Sequence, residues 1–157
     1  MSNNNKDKFK LIAKNKKAYF DYEIVKSFEA GIDLRGYEVK SIRHGHVNLK
    51  GSYVSSINNE LYIKGMHITP WKALPNREAI EPDRERKIFL HKKDILYLTQ
   101  KIKEAGNTII VCELYFKGQL IKAKIALAKG RKKYEKKQVL KERTLDREAK
   151  KAMQKYY

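Results

Sequence analysis

Four histidines, one cysteine and eighteen carboxylates are the raw material for catalysis in this 157-residue chain. His44 and His46 could share a strand face and hold a metal, but they read as a basic, polar loop. Cys112 stands between Val111 and Glu113 in a strand-like run. Reactive thiols need an electropositive or helix-N-terminal setting, so this one reads as a packed side chain. Asp33 with Glu38, and Glu81 with Asp83 and Glu85, could pair as acid and base, yet each cluster is flanked by Arg or Lys and reads as surface ion pairs. No phosphate-binding glycine loop, HExxH or GxSxG pattern occurs. The reading is therefore no catalytic residue, no metal site, no cofactor and no enzyme.

What the residues do offer is cation and aromatic surface. Thirty-six Lys and Arg against eighteen acids give a net charge of +18, and ten Tyr and five Phe are interleaved with them. Lysine and arginine neutralise phosphates and release counterions, while aromatic rings stack on unpaired bases. At least half of the rings are expected in the core. The charge is uneven: residues 129–157 hold twelve Lys and Arg against Glu135, Glu142, Asp146 and Glu148. Residues 1–17 hold six Lys against Asp7. The run AKGRKKYEKK, with Lys129, Arg131, Lys132 and Lys133, is a dense phosphate-binding stretch. Such charge points to a polyanion: nucleic acid or an anionic membrane surface.

Elements must position these groups. Residues 18–28, rich in aromatic and β-branched types, predict a strand; 33–44 predict a short helix with Asp33 as N-cap and Gly45 as stop. Residues 52–57 and 60–64 predict a hairpin about Asn58-Asn59. Gly65 and Pro70 take 63–71 out of the sheet, Pro75 and Pro82 leave 72–86 as a loop, and 87–90 read as a short strand. Ile95, Leu98, Ile102 and Ala105 predict a helix over 92–105, ended by Gly106. Residues 108–116 and 119–128 predict the two best strands, with Ile121, Ala123, Ile125 and Leu127 facing one way and Lys122 and Lys124 the other. Short hairpin-linked strands with two to three helices predict a mainly β fold with some α: an OB-like antiparallel β-barrel over 15–129. Residues 1–14 are expected to be a flexible basic N-terminus. Residues 130–157 are expected to be a flexible basic C-terminal tail, disordered when free, because their few aliphatics cannot offset ordering entropy. The lone cysteine fits a reducing cytoplasm, the mean hydropathy of −0.71 argues against a membrane span, and no apolar signal segment is visible at the N-terminus.

Several motifs in order add a family. LRGYEVKSIRHGHVNLKGSYV (34–54), MHITPW (66–71), RERKIFLH (84–91), LYFKGQLIKAKIALAKGRKKYEKK (114–137) and KERTLDRE (141–148) resemble the bacterial SsrA-binding, or small protein B, family. The resemblance runs from about Asn15 onward. It implies an OB-like barrel that binds the tRNA-like domain of transfer-messenger RNA and promotes its alanylation by alanyl-tRNA synthetase. It also implies delivery, with elongation factor Tu, to stalled ribosomes in trans-translation. The body would sit near the decoding centre of the small subunit, and the tail would turn helical in the empty messenger channel.

Residue by residue, the resemblance implies RNA contact at Glu29, at Phe89 and His91 flanking a leucine, and at the Asn15-Lys16 pair. Phe89 stands where the family usually has an aliphatic side chain. In the tail it implies ribosome contact by Tyr134, with Leu145 and Met153 as apolar positions. Leu145, Ala149 and Met153 make one helical stripe surrounded by cations, with Arg147 in the same stretch and Lys136 and Lys137 just before it. A ribosomal or ribosome-assembly protein is the alternative reading, and a small RNA-processing enzyme the third.

Overall fold

The computed structural model describes the backbone of residues 8–156 and side chains through Lys151. Among the described residues nine strands and four α-helices follow in the order β1 (Phe9–Lys14), α1 (Lys16–Asp21), β2 (Tyr22–Ile32), α2 (Gly36–Arg43), β3 (Val47–Asn48), β4 (Tyr53–Ile57) and β5 (Glu60–Lys64). Then come β6 (His67–Ile68), β7 (Arg86–Phe89), α3 (Lys92–Lys101), β8 (Asn107–Lys117), β9 (Leu120–Gly130) and α4 (Lys133–Tyr156). All strand pairs are antiparallel. The strand order β8-β4-β5-β7-β2-β9 returns to β8, so six strands close a ring, with β1 added on β8. Closure removes the exposed sheet edges that short strands would otherwise present. The expected OB-like barrel is therefore the architecture found.

Local chemistry explains the hairpins. Asn58 and Asn59 both have positive φ, 52° and 60°, the geometry of the two-residue turn whose twist matches its strands. Gly118 at φ 65° turns β8 into β9. The barrel interior is filled by Leu61, Ile63, Ile88, Ile109, Val111, Leu114, Ile125 and Leu127, closed by Ile42 of α2 and Leu98 of α3. Ala123 and Ile125 face inward as the alternation requires; on the opposite face Ala126 and Ala128 are also buried, under Ala18 of α1. Their small side chains let the helix sit directly on the sheet.

Four expectations need correction. Residues 18–28 are not one strand: Lys16–Asp21 is helical, because Asn15 caps it, its Oδ1 accepting from the Ala18 N–H. Nor is α2 capped by Asp33. It starts at Gly36, and Glu38 reaches back to accept the Arg35 N–H at 2.8 Å. Glu38 itself is no surface ion-pair residue: it is buried and bonded by Arg84 and Arg86. The N-terminal stretch, read as flexible through residue 14, forms β1 from Phe9, since the C-terminal half of β8 lies beyond its pairing with β4 and needs a partner.

The tail forms α4, where the sequence predicts no order in the free protein. Its Lys, Glu, Arg, Leu and Ala residues favour a helix. Lys136 pairs with Asp21 at 3.2 Å, and Lys136 and Arg143 each lie 6.0 Å from the Phe20 ring. Leu140 and Leu145 remain exposed.

Candidate nucleic-acid interface

The outer face of the barrel is built by register. Tyr115 of β8 pairs with Lys122 of β9, Lys122 with Gly31 of β2, and Gly31 with Phe89 of β7. The next row sets Glu113, Lys124 and Glu29 side by side. Inward neighbours such as Leu114, Ala123, Ala30 and Ile88 are core, so strand alternation turns this set outward. Three sequence-predicted residues, Glu29, Lys122 and Lys124, thus meet Phe89 on one surface. Gly31 lies directly against Phe89: a Cβ there would sit 3.5 Å from the Phe89 Cβ, in ordinary contact. Phe89 is half exposed, with Lys87 Nζ 5.6 Å from its ring.

Glu29 organises this face. It accepts from the Tyr115 hydroxyl and from Lys117 Nζ at 3.2 Å. The Tyr115 bond holds the carboxyl below its usual range, aided by Lys117 and Lys122 against a smaller opposing effect of desolvation. Burial pushes the Tyr115 hydroxyl up, and Glu29 adds to it, so the tyrosine stays a donor. Tyr115 is itself buried beneath Phe9, the ring centroids 4.6 Å apart. Phe9 is 60% exposed, so Phe9 and Phe89 both stand on this face as exposed rings.

Lys124 carries the surface onward. Its Nζ lies 5.9 Å from the Tyr19 ring, and Lys14 Nζ lies 5.1 Å from the same ring. Beside Tyr19 a cavity of about 460 Å³ is lined by Lys14, Lys16, Arg131 and Arg143. Lys16 and Arg131, far apart in sequence, are therefore brought together. Asn15 acts inside the fold instead. It is buried, and its Nδ2 donates to the Leu49 and Val111 carbonyls at 2.9 and 3.1 Å. Asn15 also lines a cavity of about 360 Å³ with Lys17 and Lys50, and by capping α1 it places Lys16.

Other predicted residues are scattered. His91 is exposed at the start of α3, one residue past Leu90. Lys129 is exposed at the end of β9, as are Lys132 and Lys133 at the start of the tail. Arg131 Nε donates to the Tyr22 carbonyl, fixing where the tail leaves the barrel. Tyr134, Lys137, Leu145 and Arg147 are exposed on α4, while Lys136 is half-buried against α1. Met153 lies within α4, but its side chain is outside the described residues.

The sequence reading missed Phe9, Gly31, Lys87, Tyr115 and Lys117, which only strand pairing brings to Glu29 and Phe89. Burial pushes the Cys112 thiol up to about 11, consistent with packing rather than reactivity. Among the described residues, no group of three or more His, Cys, Asp or Glu is placed to hold a metal, and no helix is long and apolar enough to cross a membrane.

Fold and face together define a class: OB-like barrels that present a cationic surface set with exposed aromatic rings. Comparison narrows it. The family model described as "SmpB protein" matches residues 12–155, and the chain belongs to that family. An SsrA-binding protein of Carboxydothermus hydrogenoformans is 46% identical over 148 residues, 94% of this chain and 99% of the relative. One from Persephonella marina is 48% identical over 139 residues, covering 88% and 91%. A solved structure described as "tmRNA-SmpB: a journey to the center of the bacterial ribosome" matches with a TM-score of 0.64 and 36% identity, over 79% of this chain and 87% of that one.

Proposed function

We propose that the protein is an RNA-binding adaptor of trans-translation, working in the cytoplasm without catalysing a reaction. The observation that carries this is the continuous face from Phe89 through Gly31, Lys122, Lys124 and Glu29 to Lys16 and Arg131, on a chain of the SmpB family. The face receives the tRNA-like domain of transfer-messenger RNA: cations meet its phosphates, and Phe9 and Phe89 meet unpaired bases. Seating that RNA promotes its alanylation by alanyl-tRNA synthetase and its delivery, with elongation factor Tu, to stalled ribosomes. The tail, with Tyr134, Lys136, Lys137, Leu145, Arg147 and Met153, leaves the barrel and lies as a helix in the empty messenger channel of the small subunit, next to the decoding centre.

Glu29 gives the discriminating test. It is an acid on a surface for a polyanion, so its value must lie in holding Tyr115 and Lys117 rather than in charge. Glu29→Ala is expected to weaken binding to the tRNA-like domain about fivefold, the scale of one ordinary hydrogen bond, while binding to plain duplex RNA is unchanged or tighter. Matched-salt filter binding reads both. Equal strengthening of both RNAs would remove Glu29 from the site, and failure of the wild-type chain to retain the tRNA-like RNA would remove the function.

A further inference from the structure

A second pocket lies away from the barrel face, where α2 meets β6. A cavity of about 200 Å³ is lined by Ser41, His46, Thr69, Pro70, Trp71, Lys72 and Arg77. Three features mark it. The Ser41 hydroxyl is fully buried and has no hydrogen-bond partner among the described residues, although a buried hydroxyl without one is costly. Trp71 is held in place from outside the cavity: the His44 ring lies 4.5 Å from it and Lys40 Nζ 4.9 Å. His44 is fixed in turn by its Nδ1, 2.9 Å from the Lys40 carbonyl oxygen. Finally, Lys72 and Arg77 line the cavity and carry exposed positive charge.

An indole wall, one free hydroxyl and a rim of cations match one chemistry: a flat heteroaromatic ring carrying polar edges and attached to phosphate. The cavity suits a single base rather than a drug-sized ligand. Position selects its source. Arg43 at the end of α2 lies 6.0 Å from the Phe116 ring of β8; Phe116 follows Tyr115 and turns to the opposite side of the strand, so α2 sits across the barrel rim from the RNA face, at the same end of the barrel. We infer that the Ser41–Trp71 pocket captures one unpaired base of the RNA seated on the barrel face, stacked on Trp71 and hydrogen-bonded to the Ser41 hydroxyl. This rests on the RNA-adaptor reading and adds to it a second, base-holding contact.

Trp71 is the single tryptophan of the chain, so its fluorescence reports this pocket alone. The full chain is titrated, under 295 nm excitation, with RNA of the tRNA-like domain, with a fully paired duplex, and with a ribosomal decoding-region hairpin; filter binding is run in parallel. The tRNA-like RNA is expected to quench Trp71 saturably with the midpoint seen by filter binding, and the duplex to bind without quenching. Trp71→Ala is expected to weaken binding of the tRNA-like RNA about 5- to 100-fold, the range for loss of one stacked base, and Ser41→Ala to weaken it less. Bound tRNA-like RNA with unquenched Trp71 overturns the pocket and leaves the adaptor reading standing. Failure to bind that RNA at all overturns the adaptor reading itself. Quenching by the ribosomal hairpin alone overturns the assignment of the base to the RNA on the barrel.

Discussion

Glu38 shows how one side chain can decide whether the framework around a site holds. Its carboxylate is 2% exposed and is bonded by Arg84 and Arg86, the latter fully buried. Arg86 also donates to the Met66 carbonyl at 2.7 Å and the Pro82 carbonyl at 2.9 Å, so the cluster ties α2 to the loop leading into β7, the strand that ends in Phe89. Burial alone would raise the Glu38 pKa, but the bonds from Arg84, the Arg35 backbone and Arg86 hold it below the usual range. A carboxylate lowered in this way stabilises the fold fully above the unfolded value and loses that contribution as pH falls through the lower folded value. Melting temperature is therefore expected to be level above about pH 5 and to fall steadily below about pH 4. Glu38→Ala strands two guanidinium groups, one fully buried, and is expected to cost about 3–5 kcal/mol in urea unfolding. A loss under about 1 kcal/mol would mean that the arginines find water or another partner and that the cluster is not a framework.

At the scale of elements, α4 is the piece with the least holding it. Its anchoring to the barrel runs through Asp21, Phe20 and Arg131 near its N-terminal end, and residues 141–151 are all exposed. A mostly unburied helix opens locally far more easily than a barrel strand. Amide hydrogens beyond Lys141 are expected to exchange within seconds, while those of β8 and β9 persist for hours. Comparable protection in both would mean that the free tail is a docked helix and would remove the disordered-until-bound reading. The same contrast explains what was legible in the sequence. Strands 8 and 9 announced themselves through alternation, and the Asn58-Asn59 turn through its residues, because those signals are local. Helix α1 was hidden: Tyr19 and Phe20 carry β-like types, and what makes this stretch helical is Asn15 bonding to Leu49 and Val111, 34 and 96 residues away. Glu29 and Phe89 were found only through resemblance to a family, since a register that places Gly31 opposite both Phe89 and Lys122 leaves no mark on a one-dimensional chain. The same holds for Tyr115 and Phe9.

For the whole molecule, the +18 charge divides between a shaped face and an extended one, and salt should separate them. Binding weakens with salt by about 0.7–0.9 log units per log unit of salt for each phosphate neutralised. The barrel face offers a compact set of cations, chiefly Lys16, Lys117, Lys122, Lys124 and Arg131, so its RNA should show a moderate slope. Ending the chain at Gly130 removes eleven Lys and Arg with four acids, most of them exposed along α4. The shortened chain is expected to keep its affinity for the tRNA-like RNA within a few-fold and its slope within about two units, because only Arg131 and Arg143 of that face are lost. Its binding to ribosomes with an empty messenger channel should fall more than tenfold and lose several units of slope. Sedimentation with ribosomes and filter binding with RNA, each from 50 to 300 mM potassium chloride, give the four slopes. Equal loss in both assays would show that the tail grips the RNA as much as the ribosome, and that barrel and tail form one undivided polyanion site.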